Sequence, residues 1–148
     1  MAADGKEGLA ILVASESLFV RHYFFHIFER KTGNFIRLAA SGKEAVEALD
    51  GPPDVAGGFF RPFDLVFIND YLPDMGAAEL LEEIAKRHPE TKSFVLLTHV
   101  NDAKRLIERH GATGVIMKPF TSIDILKKVK EALPEGNIQI ADDFSSCF

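Results

Sequence analysis

Short runs of apolar residues alternate along the chain with longer segments whose apolar residues recur at helical spacing. The five runs cover residues 9–14, 35–39, 65–68, 94–97 and 115–117. They are too short for helices, and their nearly continuous apolar character is typical of strands buried on both faces. The alternation therefore predicts an α/β fold, in which a five-stranded parallel sheet is covered by helices on both faces.

The predicted helices carry recognisable start and stop signals. Ser41 and Glu44 form a capping box that opens the second helix. Gly111 can close the fourth helix in a left-handed conformation, and Thr121 opens the fifth. The apolar residues predicted to face the core are Val20, Tyr23, Phe24, Ile27, Phe28, Ala45, Val46, Leu49, Ala77, Leu80, Leu81, Ile84, Ala103, Leu106, Ile107, Ile125, Leu126, Val129 and Leu133.

A single domain accounts for most of the 148 residues, because a chain of 16.4 kDa can bury one sizeable core and has no room for a second. We predict a flexible N-terminus over residues 1–8 and the domain over 9–133. Residues 51–62, with three prolines and three glycines, form an inserted loop that is either ordered or lid-like. Residues 134–148 are a tail that either packs back on the domain or frays.

Composition and charge exclude several classes of function. A net charge of -5 and scattered basic residues argue against a nucleic-acid partner. The single cysteine, Cys147, excludes an internal disulfide and a cysteine-based metal cluster. No stretch approaches the roughly 20 apolar residues of a membrane span. We therefore expect a soluble, cytoplasmic protein that binds neither nucleic acid nor membrane.

Polar residues follow four of the predicted strands at their carboxyl ends, which is the edge where open parallel sheets bind their ligands. These residues are Ser15 and Glu16 after the first strand, Asn69 and Asp70 after the third, Thr98 and His99 after the fourth, and Lys118 after the fifth. We predict that they form the candidate site.

The order of these residues resembles the receiver domain of bacterial-type response regulators. Residues 63–75, FDLVFINDYLPDM, are similar to the third strand of receivers, and the Lys-Pro-Phe at 118–120 is similar to the end of their fifth strand. Thr98 falls on the hydroxyl position that receivers keep. The resemblance covers residues 9–133 and implies a flavodoxin-like or CheY-like (βα)5 fold with strand order 2-1-3-4-5.

The resemblance also implies a chemistry that this sequence has lost. In active receivers, an acidic pair and an acceptor aspartate hold Mg²⁺, and the lysine pairs with the phosphoryl group. Here the pair is Ser15 and Glu16, and Asn69 takes the acceptor position, four residues before Pro73. A carboxamide has neither a comparable nucleophilic oxygen nor a charge to recruit a metal. The loss at both places favours a naturally degenerate site over an engineered one.

We therefore predict a pseudo-receiver that is not an enzyme, has no catalytic residue and needs no cofactor, with at most weak Mg²⁺ binding at Glu16. Its degenerate phosphorylation site consists of Asn69, Glu16, Ser15, Thr98 and Lys118. We expect Lys118 to pair with Glu16 or with the carbonyl of Asn69. Val115 replaces the aromatic residue that the resemblance implies at the switch position, so the usual relay is also lost.

Asp70 supplies the alternative, a phosphorylatable receiver in a two-component phosphorelay that uses Asp70 as acceptor and Mg²⁺ as cofactor. Successive strand side chains point to opposite faces, so we expect Asp70 to face away or lie at the rim as a solvated turn or cap acid. Asp74 is expected to cap the third helix. His99 either fills the pocket mouth or faces solvent.

A flavodoxin-like cofactor binder shares the predicted architecture, and it is a further alternative. However, residues 15–17 after the first strand bring an acid where a phosphate-binding loop would be needed. The absence of flavin colour would dispose of this alternative.

Phe19 and Phe25 lie at or beyond the margin of the apolar stripe on the first helix, and they are the candidate partner-binding residues. The resemblance implies a partner such as a histidine kinase, a phosphotransfer protein or another regulator, or a homodimer through the fourth-helix, fifth-strand and fifth-helix face. Alternatively, the tail or the inserted loop covers these two side chains.

Overall fold

The computed structural model describes residues 8–29, 33–51, 54–55, 59–60 and 62–133 of the chain. The strands are β1 (Ala10–Ala14), β2 (Phe35–Ala39), β3 (Asp54–Val55), β4 (Phe59–Phe60), β5 (Leu65–Asn69), β6 (Lys92–Leu97) and β7 (Gly114–Met117). The helices are α1 (Leu18–Glu29), α2 (Gly42–Asp50), α3 (Ala77–Arg87), α4 (Ala103–His110) and α5 (Ser122–Ala132), and a 3-10 turn (Val100–Asp102) precedes α4.

The main sheet has five parallel strands in the order β2-β1-β5-β6-β7. Counted along the chain without the short β3 and β4, this is the order 2-1-3-4-5, so the predicted fold class is confirmed. Every residue of β1 and of β5 is buried, as expected for central strands that have helices on both faces. The pairing brings the carboxyl ends of all five strands to one edge.

The two faces of the sheet hold separate apolar cores, one under α1 and α5 and the other under α2, α3 and α4. Phe67, at the middle of β5, is fully buried in the first core. Its ring centroid lies 4.8 Å from that of Phe24, 5.8 Å from that of Phe28 and 5.8 Å from that of Phe94. This aromatic cluster attaches α1 to the centre of the sheet.

Most of the predicted helix signals form the expected hydrogen bonds. The Ser41 hydroxyl accepts a bond from the Glu44 N–H at 3.1 Å, as predicted. The Glu44 carboxylate accepts one from the Ala40 N–H at 2.8 Å instead of the Ser41 N–H, so the reciprocal bond of the predicted capping box is shifted by one residue. Gly111 ends α4 with a φ of 82°, a conformation that other residues rarely adopt. Thr121 caps α5 and exchanges hydrogen bonds with Asp124.

Not every prediction from the sequence agrees with the structure or falls on residues that it describes. Ile107 was expected to face the core, but its side chain is 40% exposed, so that prediction is wrong. Within the predicted inserted loop, β3 and β4 pair antiparallel. The rest of residues 52–61, the first seven residues and the tail at 134–148 lie outside the described residues. In the part of the chain that the structure describes, no helix is long and apolar enough to cross a membrane.

Candidate functional site

Asn69 is the last residue of β5, and its side chain is turned into the edge of the sheet. Only 8% of the residue is exposed. Its amide Nδ2 donates a hydrogen bond of 3.0 Å to the carbonyl oxygen of Tyr71. The amide therefore supports the turn that follows β5, and it uses the one kind of contact that a carboxylate could not make, because an ionised carboxylate has no donor.

Asp70 lies at the centre of the site, so the expectation that it faces away or is a solvated rim acid is wrong. Its Oδ1 accepts a hydrogen bond from Lys118 Nζ at 3.0 Å, and its Oδ2 accepts one from the backbone N–H of Thr98 at 2.9 Å. The carboxylate thus connects the end of β5 to the ends of β6 and β7. The side chain is 20% exposed and that of Lys118 is 30% exposed.

The error has a structural reason. Alternation of side chains holds only within a strand, and the paired part of β5 ends at Asn69, which is opposite Leu96. The chain bends at Asp70, whose N–H still donates to the Leu96 carbonyl at 3.0 Å. The prediction that Lys118 pairs with Glu16 or with the Asn69 carbonyl is wrong as well, because Lys118 Nζ donates to Asp70 instead. The sequence did contain one signal for the Asp70–Lys118 pair, because the two residues carry opposite charges and both follow strand ends.

The surroundings of Asp70 act on the pKa of its carboxyl group in two opposing directions. Burial by itself would raise the pKa of the carboxyl. The hydrogen bond from Lys118, the hydrogen bonds from the backbone and side chain of Thr98, and the charge of Lys118 outweigh burial, so the pKa of Asp70 lies below its ordinary value. The site therefore contains an ion pair at neutral pH.

Ser15 and Glu16, at the end of β1, do not join this ion pair. Ser15 is fully buried, and its hydroxyl accepts a hydrogen bond from the N–H of Ser17 at 3.1 Å. Its carbonyl accepts one from Nη1 of Arg21 at 2.7 Å. Glu16 is exposed. Ser15 and Arg21 therefore stabilise the entry into α1, which the sequence analysis did not identify.

Asp74 caps α2 rather than α3, so that prediction is also wrong. Its Oδ1 accepts a hydrogen bond from the N–H of Gly42 at 2.8 Å, and its Oδ2 accepts one from the N–H of Lys43 at 2.9 Å. These bonds hold the pKa of Asp74 below its ordinary value. The neighbouring Met75 side chain fills the space where a Cβ at Gly42 would lie. The loop after β5 is therefore anchored to the start of α2.

The donor set at this edge does not fit a magnesium ion. Mg²⁺ prefers hard anionic oxygens in octahedral geometry. Both oxygens of Asp70 are already hydrogen-bonded to Lys118 and Thr98, and Asn69 presents its amide nitrogen to the Tyr71 carbonyl. Among the described residues, no three His, Cys, Asp or Glu side chains are grouped so as to hold a metal.

The remaining candidate residues lie around this centre. Thr98 and His99 are exposed, so His99 faces solvent rather than the pocket. Val115 is half-buried and packs against the core under α2, α3 and α4. Phe19 is 77% exposed and stacks on Tyr23 with the ring centroids 6.2 Å apart. Phe25 is 37% exposed, so both phenylalanines lie outside the core as expected.

Comparisons with known proteins identify the class to which this fold and site belong. The family description "Response regulator receiver domain" matches residues 11–130. Sensor kinase CckA of Brucella abortus (strain 2308) is 31% identical over 102 residues, which are 68% of this chain and 10% of the kinase. The chain therefore belongs to the response regulator receiver domain family, whose members are found in two-component signalling proteins.

Solved structures agree with this assignment. A CheY-like receiver domain protein from Methanospirillum hungatei JF-1 has a TM-score of 0.70 and 26% identity, and the match covers 88% of this chain and 98% of that chain. NtrX from Brucella abortus has a TM-score of 0.72 and 26% identity, over 95% of this chain and 30% of NtrX. The match to each Brucella protein thus covers only a small part of that protein, which is longer than this chain.

Proposed function

We propose that this receiver acts in signal transduction by phosphorylation-independent protein contact, as a pseudo-receiver. The observation that carries the proposal is the buried Asn69 at the end of β5. Its amide donates to the Tyr71 carbonyl and has no nucleophilic oxygen comparable to that of a carboxylate. Without an acceptor at this position, the protein needs no enzymatic step, and its contact surface is present at all times.

The polar groups at the carboxyl edge of the sheet, which do not fit a magnesium ion, support the same function. Phosphoryl transfer depends on positioning and on charge neutralisation, which divalent cations commonly supply. Ser15 provides no charge, and Glu16 is exposed and separate from the Asp70–Lys118 pair. We propose that the protein works without Mg²⁺ or any other cofactor.

The contact surface that we favour is the exposed part of α1. Phe19 is 77% exposed and Phe25 is 37% exposed, and large exposed aromatic side chains are enriched at protein interfaces. The partner would be a histidine kinase, a phosphotransfer protein or another regulator. A homodimer through α4, β7 and α5 is the other arrangement, and Ile107 on α4 is 40% exposed there.

Phosphorylation of Asp70 remains a second candidate, because its carboxylate lies 3.0 Å from Lys118 Nζ instead of facing away. In that reaction, a carboxylate oxygen of Asp70 would form a bond to the phosphorus of acetyl phosphate. The bond between phosphorus and the bridging oxygen would break, and acetate would leave with the electron pair. The two existing hydrogen bonds of Asp70 would have to be given up or rearranged first.

Intact mass measurement and peptide mapping after incubation with acetyl phosphate and Mg²⁺ distinguish these functions. We expect no added phosphoryl group on the wild-type protein. The matched variants are Asn69→Asp, which restores a carboxylate at the acceptor position, and Asp70→Asn, which removes the alternative acceptor. A phosphoryl group that maps to Asp70 and is lost in Asp70→Asn would overturn the pseudo-receiver.

A binding experiment tests the contact function itself. Asn69→Ala should leave capture of a candidate kinase or phosphotransfer partner nearly unchanged, whereas Phe19→Ala should weaken it, since hot-spot residues often cost more than 1 kcal/mol when truncated. Loss of capture in a folded Asn69→Ala protein would count against the proposal. Retention of full affinity in Phe19→Ala would exclude α1 as the contact.

A further inference from the structure

Asp70 joins three neighbouring strands at their carboxyl ends. Its backbone N–H donates to the Leu96 carbonyl in β6 at 3.0 Å. Its two carboxylate oxygens then accept bonds from the Thr98 N–H, just after β6, and from Lys118 Nζ, just after β7. One short side chain thus bridges the ends of β5, β6 and β7.

The groups that hold this carboxylate form a general oxyanion site. They are the ammonium group of Lys118 and the backbone N–H of Thr98. The side chain of Thr98 also contributes to lowering the pKa of Asp70. Charged and backbone donors of this kind bind carboxylate and phosphate oxygens alike. The donors are satisfied by the protein's own anion, and a second anion at the same place would be repelled by it.

We infer that Asp70 is a built-in anion that occupies an oxyanion site formed by Lys118 and Thr98, and that it thereby excludes phosphate from that site. This inference rests on the proposed function and deepens it, because it names the group that takes the place of an external phosphate. A carboxylate that is part of the chain is always present, so the ends of β5, β6 and β7 are held in one arrangement.

The arrangement extends from the site to the surface beside it. Thr98 leads directly into the 3-10 turn at Val100–Asp102 and then into α4. Val100 in that turn is 64% exposed. Because the Thr98 N–H is held by Asp70, the start of this connection is fixed by the ion pair. The start of α4, which belongs to the alternative homodimer face, is therefore linked to Asp70 rather than to a ligand.

Titration with inorganic phosphate, followed by amide chemical shifts in NMR spectra, tests the inference without any partner. Asp70→Ala should bind phosphate at least about tenfold more tightly than the wild-type protein, with shifts centred on Thr98 and Lys118. The double variant Asp70→Ala/Lys118→Met should lose the added affinity. Asp74→Ala is the matched control, because it removes an acid from the same loop that contacts neither Lys118 nor Thr98.

Equal phosphate affinity in wild type and Asp70→Ala would overturn the inference, as would a gain in Asp74→Ala of the same size. Should Asp70→Ala fail to fold, Asp70→Asn removes the charge at constant volume and must itself show a gain in affinity. Covalent phosphoryl incorporation is a different readout: phosphate on Asp70 in the wild type would refute the pseudo-receiver, whereas this titration concerns reversible binding to the variant.

Discussion

The two ends of the central sheet use the same residue types for different purposes. At the amino end, Asp64 accepts a hydrogen bond from the Ala10 N–H at 2.8 Å, and the Thr91 hydroxyl donates to the Phe63 carbonyl at 2.7 Å. At the carboxyl end, Asp70 pairs with the ammonium group of Lys118. The ammonium group at the carboxyl end can bind carboxylate and phosphate oxygens alike, so this end is suited to exchange one anion for another.

The exposed apolar side chains also differ between the two ends of the sheet. Several large apolar residues that are more than half exposed lie in segments that follow strands at the carboxyl end, namely Leu18, Phe19, Tyr71, Val100 and Ile123. These exposed apolar side chains lie within, or directly beside, the segments that contain the polar site residues. Since exposed apolar groups near a polar centre are typical of protein contacts, this difference is consistent with the proposed contact function at the carboxyl end.

The largest loss of stability is expected in the middle of β5, the strand that connects the two ends of the sheet. Phe67→Ala should lower the free energy of unfolding by about 3–5 kcal/mol, because the ring is fully buried among Phe24, Phe28 and Phe94. Denaturant unfolding measures the change. Phe19→Ala, at an exposed position, should change stability by no more than about 0.5 kcal/mol. A loss of under about 1 kcal/mol in Phe67→Ala would contradict the described packing.

At the amino end, Asp64→Ala should lower the free energy of unfolding by about 1–3 kcal/mol. The reason is that the fully buried Ala10 would lose the acceptor for its N–H. Partner binding per folded molecule should stay the same, which can be checked by calorimetry on samples shown to be folded. A specific loss of binding without a loss of stability would mean that the amino end also takes part in recognition.

At the carboxyl end, a double-mutant cycle of Asp70→Asn and Lys118→Met should give a coupling energy of about 1 kcal/mol. Both side chains are partly exposed, so solvent screens the pair and reduces its contribution to stability. Unfolding in denaturant measures all four corners of the cycle. Coupling near zero would mean that the two residues do not interact in solution, and it would remove the basis for a built-in anion.

The smallest expected effect is the change in stability with pH. The pKa of Asp70 is lower in the folded state than its ordinary value, so the ionised form stabilises the fold. This contribution should be fully present above the ordinary aspartate pKa and should be lost as the pH falls through the folded-state pKa. Carboxyl ¹³C titration follows the group directly. The stability difference between wild type and Asp70→Asn should shrink on acidification, and a difference that grows would contradict the ion pair.

Much of the architecture was predictable, because buried strands and amphipathic helices leave periodic patterns in the chain. The strand order followed from the resemblance and is confirmed. Cap residues such as Ser41 and Thr121 were also predictable, since their bonds reach only three residues along the chain. Ile107 was not, because helical spacing defines a stripe but not its width, and Ile107, one residue beyond the buried Leu106, faces solvent.

The partners of the site residues were harder to predict. Asp74 bonds to Gly42 and Lys43, more than thirty positions earlier, and Asp70 bonds to Lys118, 48 positions later. Local spacing contains no information about such pairings, and opposite charge shows only that Asp70 and Lys118 are able to pair. The bend after β5 also ends the alternation from which the direction of Asp70 was inferred.

The amino-acid sequence predicted a parallel α/β domain, and the structure confirms it. That conclusion depends on residue identity and on short-range periodicity, which the chain carries in linear form. The prediction that the amide of Asn69 takes the place of an acceptor carboxylate depends instead on the resemblance to receivers. The tertiary structure alone decided that the neighbouring Asp70 holds Lys118 and Thr98. That outcome depends on which strand ends become neighbours and on where the chain bends, and packing of the whole domain determines both.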